Sequence, residues 1–230
     1  MLKHLKKYTW VYLLSIFAIV GAFFGPAVIT SYFAGTWGQV ELFGTIASAI
    51  CVWLAVKQNI WTWFWGAIGV ALFGPLFFHY QLYSDAALQI LFFLPIQALG
   101  YYWWKKKGPT HNDDLPVESM QFSTFGLVCS GILAMAGING FYMANYTDAA
   151  FPYVDALTTW MSIAAQILMI KKIFQSWWLW VAMDAIAIYV YAAKGLMIVS
   201  GLYGLFFVLA TMGGIAWYKS LKGQNVEQTI

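Results

Sequence analysis

The residues of this chain that could bind a polar ligand are few, and most of them lie inside long apolar stretches. Asp184 is the only carboxylate deep within such a stretch. An ionised, unpaired carboxylate at the centre of a membrane helix costs roughly 2.5 to 3.5 kcal/mol on insertion scales, so it needs a partner, water or a proton. We expect Asp184 to accept a hydrogen bond from a hydroxyl or amide of a ligand; the alternative is a polar clamp between helices.

Two polar stripes run at helical spacing through the apolar stretches. Asp85, Gln89 and Gln97 are separated by multiples of four residues, so they share one helix face. Asp155 begins a second stripe that includes Gln166. Neutral amides both donate and accept hydrogen bonds, which suits a neutral or zwitterionic ligand. We expect Asp85, Gln89 and Gln166 to contact the ligand, whereas Gln97 fits ligand contact and helix-to-helix hydrogen bonding equally well.

Aromatic side chains extend the candidate site. Most of the 13 tryptophans lie where an apolar stretch meets water, and an interfacial belt explains that placement. Trp180 differs because it lies one turn from Asp184 on the same face, which Tyr191 continues, and Tyr203 takes the repeat position of Gln89. A planar heterocycle could stack on these rings. We therefore add Trp180, Tyr191 and Tyr203 to the candidate substrate-binding residues.

Residues for covalent or metal chemistry are sparse. Cys51 and Cys129 lie in separate apolar stretches without a nearby Cys or His, so the sequence predicts no metal site, no cofactor and no disulfide. No nucleophile is paired with a base, and no Gly-rich phosphate loop occurs. We expect no enzymatic activity, and a membrane receptor or membrane enzyme is the alternative class.

The composition indicates an integral membrane protein. Hydrophobic residues make up 62% of the chain and charged residues 9%, whereas soluble domains carry about 25% charged residues. The net charge is +3, and all 12 basic residues are lysines in short clusters between apolar stretches. Such clusters are typical of topology signals and not of a nucleic-acid surface. We therefore expect contact with the lipid bilayer and none with nucleic acid.

About eight apolar stretches are long enough to cross a bilayer as helices. The first, residues 9–33, exceeds the apolar core of a signal peptide, so we interpret it as a retained helix. If every stretch crosses once, all lysines except Lys194 fall on one side, which predicts that both termini are cytoplasmic. Pro75 and Pro95 interrupt the third and fourth stretches and should bend those helices.

The stretches indicate an internal repeat. At an offset of 115 residues the WFW of residues 63–65 aligns with the WLW of residues 178–180, and Gly69 aligns with Asp184. In the last helix of each copy the offset becomes 114 residues. We predict an all-α integral membrane protein in which two parallel three-helix repeats are joined by a linker helix and preceded by an extra N-terminal helix. The segments are residues 1–36 (N-terminal helix), 37–107 (first repeat), 108–152 (cytoplasmic linker and connecting helix), 153–222 (second repeat) and 223–230 (tail).

Two blocks of the sequence are distinctive: GAIGVALFGPLFFHYQLYSDAALQILFFLPIQALGYYWW and TTWMSIAAQILMIKKIFQSWWLWVAMDAIAIYVYAAKG. At these residues the chain resembles the nicotinamide riboside transporter family of the PnuC type, some of whose members carry Asn where this chain has Gly69 and Asp184. The resemblance implies a fold like that of the sugar-transporting SWEET proteins. It also implies facilitated diffusion of nicotinamide riboside across the bacterial inner membrane, with trapping of the product by a cytoplasmic kinase.

The residues alone predict a carrier for a small polar aromatic solute. A ribosyl-pyridinium has a positive ring, which favours aromatic faces and a nearby carboxylate. Carriers of the same fold for thiamine or riboflavin are the alternative. The extra N-terminal helix could mediate assembly into a homo-oligomer.

Overall fold

A computed structural model describes residues 36–79, 86–106, 115–147, 151–193 and 197–227 of the protein. Within these residues the chain forms seven α-helices, and a π-helical turn, Leu88–Phe93, leads into the third of them. The helices are α1 (Thr36–Val56), α2 (Thr62–His79), α3 (Leu94–Lys106), α4 (Phe122–Tyr146), α5 (Pro152–Ile170), α6 (Ser176–Ala193) and α7 (Met197–Glu227). The predicted first helix and Asp85 lie outside the described residues.

The helices have the length and surface of membrane helices. Five of them are long and apolar enough to cross a bilayer, and α6 contains a shorter apolar stretch, Ser176–Val190. The outer face of α4 exposes large apolar side chains such as Phe122, Leu127 and Phe141. Lipid can cover such a face, whereas water would leave a large apolar patch unburied. The predicted all-helical class is confirmed.

The helices pack as two groups of three, with α4 beside the second group. In the first group α2 packs against α1 and α3, and in the second group α6 packs against α5 and α7. α4 packs against α5. The two groups meet where α7 contacts α1 and where α3 contacts α5. The last helix of each group therefore contacts the first helix of the other group.

The turns that follow α1 and α5 have the same backbone geometry. Gln58 and Lys172 both have a positive φ, of 55° and 51°. Each donates its backbone N–H to a carbonyl of the preceding helix, Gln58 to Ala55 (2.9 Å) and Lys172 to Met169 (3.0 Å). These pairs are 114 residues apart, so the predicted offset of 115 is wrong by one. Asp184 therefore corresponds to Val70 and not to Gly69.

Two tryptophans connect the groups in a reciprocal way. Trp104 donates its indole N–H to the backbone oxygens of Met169 (3.3 Å) and Ile170 (3.1 Å) at the end of α5. Trp217 donates its indole N–H to the backbone oxygen of Ala55 (2.9 Å) at the end of α1. The last carbonyls of a helix lack a full set of helical donors. Each group thus caps the first helix of the other group.

Four tryptophans that the sequence assigned to an interfacial belt are buried instead: Trp63, Trp104, Trp177 and Trp217. They belong to one core cluster at the junction of the groups, and the rings of Trp104 and Trp177 lie 6.0 Å and 5.5 Å from that of Trp217. The belt interpretation is wrong for these four because a tryptophan near a helix end can face another helix as readily as a bilayer interface.

The third helices approach the second helices at glycines. A Cβ on Gly100 would overlap the ring of Trp63, and a Cβ on Gly213 would lie 2.5 Å from the ring of Trp177. The two tryptophans are 114 residues apart, whereas the two glycines are 113 apart. The first group therefore has one more residue than the second between these matching contacts.

The π-helical turn accounts for this extra residue. Leu94 donates its N–H to the oxygen of Gln89, five residues back, and a single π-turn adds one residue to a helix without breaking it. Pro95 follows directly and has no N–H to offer the carbonyl of residue 91, which favours the wider turn. Pro75, in contrast, lies inside α2, which continues through it as an α-helix.

Gly213→Ala should lower the stability of the protein by about 1–3 kcal/mol, because the new methyl group would be forced against the buried Trp177 ring. Gly204→Ala in the same helix is the matched control, since a Cβ there meets nothing within 4 Å. Removing a helical glycine at such a site should raise stability by about 0.5–1 kcal/mol. Thermal unfolding of both variants in detergent measures the difference; equal melting temperatures would contradict the proposed packing.

The polar linker ends in an extended segment that docks onto the α5–α6 turn. The N–H of Glu118 donates to the oxygen of Lys172 (3.0 Å), and the N–H of Phe174 donates to the oxygen of Glu118 (2.9 Å). The Gln175 amide donates to the Ser119 hydroxyl (3.0 Å) and to the Met120 oxygen (2.8 Å), and it accepts the Met120 N–H (3.1 Å). We call residues 115–120 the strap.

The strap also reaches the junction of the groups. Its apolar residues Leu115 and Val117 are buried in the core cluster that contains Trp104 and Trp217. The strap therefore rests against both three-helix groups, although its hydrogen bonds go to the second group.

Candidate functional site

Asp184 lies in the middle of α6, and its side chain is buried, with 2% of its surface exposed. Among the residues that the structure describes, no side chain donates a hydrogen bond to its carboxylate or forms an ion pair with it. A buried acid without a partner is expensive in a membrane helix and is found at ligand or proton sites. Asp184 is therefore the strongest candidate for a ligand-binding group.

Asp184 lies two turns beyond Trp177 on the same face of α6, and the ring of Trp177 lies against Gly213 of α7, so this face is directed toward α7. Trp180, Asp184 and Ile188 follow one another at helical spacing, and the Ser200 hydroxyl of α7 donates to the Ile188 oxygen (2.9 Å). Two contacts fix the antiparallel register of α6 and α7: Ser200 with Ile188, and Gly213 with Trp177. They place residues 203–207 of α7 at about the level of Asp184.

Trp180 precedes Asp184 by one turn on this face of α6, and Tyr203 lies on α7 at about the level of Asp184. Trp180 is half-buried and packs against two core clusters, the one at the junction of the groups and one formed mainly by α4, α5 and α6. The ring of Tyr203 meets that of Phe206 edge-on, with centroids 6.1 Å apart. Tyr191 lies seven residues beyond Asp184 on α6, and its side chain is outside the described residues. At this level α6 carries one acid and one indole, and α7 carries the phenol of Tyr203.

Gln166 lies on α5, where it is half-buried. It is one turn from Met169, whose oxygen accepts the hydrogen bond from Trp104 of the first group. Ser162, one turn in the other direction, donates its hydroxyl to the Thr159 oxygen (2.8 Å). Gln166 therefore lies near the contact between the two groups and not on the α6–α7 seam.

Gln89 lies in the π-helical turn of the first group. Its Cβ is 4.0 Å from the position that a Cβ on Gly74 of α2 would take, so it packs beside α2. The structure therefore places Trp180 and Asp184 on one face of α6, Tyr203 at about the same level on α7, Gln166 near the junction of the groups, and Gln89 in the first group.

A groove of about 430 Å³ lies between the beginning of α5 and the end of α6. Its wall is almost entirely apolar and includes Val154, Ala185 and Tyr189. At 100° per residue these α6 positions face away from Asp184. The groove is therefore not the polar site that the sequence predicts.

Two residues have environments that the sequence did not reveal. Lys172, which was interpreted as a topology signal, has 1% of its surface exposed; its Nζ lies 3.4 Å from the Gln58 Oε1 atom and 4.6 Å from the ring centroid of Trp104. Gln97 is also buried, and its Oε1 atom has no hydrogen-bond donor among the described residues. The environment of Lys172 depends on Gln58 and Trp104 of the first group, whereas that of Gln97 depends on Gly66 and Cys51 of its own group.

No group of three or more His, Cys, Asp or Glu side chains that could hold a metal ion occurs in the part of the chain that the structure describes.

Outward-facing apolar helices and a buried acid are features of helical membrane transporters. Residues 38–219 match the family described as nicotinamide mononucleotide transporter, and the chain belongs to this family.

Relatives of this chain include the nicotinamide riboside transporter PnuC of Escherichia coli (strain K12), which is 28% identical over 208 residues, or 80% of this chain and 86% of the relative. The protein of the same name from Haemophilus influenzae is 23% identical over 205 residues, or 89% of this chain and 90% of the relative. A solved structure, "Crystal structure of the Vitamin B3 transporter PnuC", is similar with a TM-score of 0.73 and 23% identity and covers 94% of this chain and 92% of that chain. This similarity establishes the fold.

Proposed function

We propose that this protein carries nicotinamide riboside across the bacterial inner membrane by facilitated diffusion with alternating access. The observation that carries the proposal is the buried Asp184 carboxylate, which has no partner among the described residues and lies one turn from Trp180 on the same helix face. A positive pyridinium ring is attracted both to aromatic faces and to a carboxylate. The family and the names of the relatives support the choice of substrate.

The architecture that we propose has eight membrane helices, because the stretch of residues 9–33 would add one to the seven helices described. Two parallel three-helix repeats, 37–107 and 153–222, would be related by an axis along the membrane normal, with α4 as the linker helix. The offset of 114 and the reciprocal bonds of Trp104 and Trp217 support this plan. The placement of the lysines supports cytoplasmic termini.

In this orientation the tryptophan cluster lies at the cytoplasmic end of the passage, beside Lys57 and Lys171. The residues proposed to bind substrate are Asp85, Gln89, Gln166, Trp180, Asp184, Tyr191 and Tyr203. Transport by such a carrier involves no covalent step. Accumulation of nicotinamide riboside in the cell therefore depends on what happens to the transported molecule in the cytoplasm. A cytoplasmic kinase that phosphorylates it would maintain the inward gradient.

Counterflow into liposomes that contain only the purified protein tests the proposal. Labelled nicotinamide riboside should accumulate in vesicles preloaded with the unlabelled compound, and collapse of the proton gradient should leave the rate unchanged. No counterflow by folded protein would contradict the carrier function, and complete loss without the gradient would contradict facilitated diffusion.

Titration calorimetry with nicotinamide riboside, thiamine and riboflavin identifies the substrate. We expect heat of binding with nicotinamide riboside only. Binding of thiamine or riboflavin in its place would replace the substrate and leave the carrier mechanism intact.

A further inference from the structure

The corrected repeat register reveals an exchange of side-chain size between the two groups. On the second helices, Trp180 of α6 corresponds to Gly66 of α2 at the offset of 114; on the third helices, Ala210 of α7 corresponds to Gln97 of α3 at the offset of 113. The second group combines a large residue on its second helix with a small one on its third. The first group has the opposite arrangement, with the small Gly66 on its second helix and the large Gln97 on its third. The amide of Gln97 therefore lies where the second group has the indole of Trp180.

The amide oxygen of Gln97 lies against bare backbone. A Cβ on Gly66 would overlap the Oε1 atom, and the Sγ atom of Cys51 lies 3.1 Å from the same position. Residues from α1, α2 and α3 thus meet at Gly66. Only 6% of the Gln97 surface is exposed, so its amide is held at the meeting point of three helices.

This oxygen has no hydrogen-bond donor among the described residues. Buried polar atoms in proteins are almost always paired, and a membrane offers no bulk water to supply the missing donor. A glutamine that served only to join helices would form its hydrogen bond with a neighbouring helix. Gln97 instead presents an unused acceptor on the α2–α3 seam, which is the repeat equivalent of the α6–α7 seam that carries Trp180 and Asp184.

We propose that Gln97 is a further substrate-contacting residue, whose Oε1 atom accepts a hydrogen bond from an N–H or O–H group of the transported molecule. The inference rests on the proposed function, because it places the α2–α3 seam on the wall of the same passage, opposite the α6–α7 seam. Nicotinamide riboside has two kinds of donor, the carboxamide N–H and the ribose hydroxyls. Gln97 selects substrates that keep the donor it binds.

Changing residue 97 and the ligand separately and together tests whether Gln97 accepts a hydrogen bond from the substrate. Titration calorimetry compares wild-type protein and Gln97→Met with three kinds of ligand: nicotinamide riboside, nicotinic acid riboside, which has a carboxylate in place of the carboxamide, and the 2′-deoxy, 3′-deoxy and 5′-deoxy ribosides. Methionine keeps the length of the side chain and removes the acceptor. We expect Gln97→Met to weaken nicotinamide riboside binding by about tenfold.

The ligand that already lacks the relevant donor should be nearly insensitive to the substitution. Insensitivity of nicotinic acid riboside identifies the carboxamide as the donor, and insensitivity of a deoxy riboside identifies that hydroxyl. A merely structural role would change all affinities by the same factor, and that result would overturn the inference.

Two controls keep the test decisive. Leu99→Met, on an exposed position of the same helix, should leave every affinity unchanged. If Gln97→Met does not fold, Gln97→Leu takes its place, with the same pattern expected across the ligands and the same result overturning the inference. Folded wild-type protein that does not bind nicotinamide riboside would instead remove the proposed function, and the role of Gln97 with it.

Discussion

Asp184→Ala is expected to weaken nicotinamide riboside binding by between about tenfold and about 100-fold. A hydrogen bond to a charged group contributes about 1.5–3 kcal/mol, which corresponds to this range. Asp184 is buried and has no described partner, so the substitution removes no interaction within the described protein and its effect should fall on the ligand. Titration calorimetry on folded variant protein measures it.

The charge of Asp184 can be separated from its hydrogen bonding. Asp184→Asn keeps an acceptor and loses the charge, so it should weaken binding of the positively charged riboside and leave binding of the uncharged, ring-reduced riboside nearly unchanged. Val70→Ala, at the equivalent position of the first group, is the control and should change affinity little. Unchanged affinity in folded Asp184→Ala protein would exclude Asp184 from the site.

Trp217→Ala is expected to have the largest effect on stability, a loss of about 3–5 kcal/mol. The side chain is 0% exposed, its ring packs on those of Trp104 and Trp177, and its N–H caps α1. Alanine would leave a cavity at the junction of the two groups and an unpaired lone pair on the Ala55 oxygen. Thermal unfolding in detergent, followed by circular dichroism, measures the loss.

Two further variants divide this effect into its parts. Trp217→Phe keeps most of the ring and loses the hydrogen bond, so it should cost only about 1 kcal/mol. Trp61→Ala, at a position that is 59% exposed, should change the melting temperature little. A Trp217→Ala variant as stable as Trp61→Ala would show that the reciprocal contacts do not hold the groups together.

The sequence predicts the helices well because their apolar stretches are long and are separated by lysines and turns. It misses the repeat register by one residue. The run of Trp177 and Trp178 lets Trp63 pair with either, and only the positive φ of Gln58 and Lys172 and the glycine contacts decide between them.

The candidate site is predicted in part. Asp184 stands out because a carboxylate in an apolar stretch is rare. The environment of Gln97 depends on Gly66 and that of Lys172 on Trp104, and these neighbours come from other helices or from the other group. Helical spacing identifies residues on one face of one helix, so it cannot show what a second helix brings against that face.

The strap has a mechanical consequence. It ties the α5–α6 turn through Glu118 and Gln175, and α4 packs along α5; within the described residues the turn after α1 has no such tie. The second group has α4 and the hydrogen-bonded strap packed against it, whereas the first group is joined to it by helix packing, by the Trp104 and Trp217 hydrogen bonds and by the contact of Lys172 with Gln58. We therefore expect the two halves to move unequally during a transport cycle, with the first group moving more than the second group.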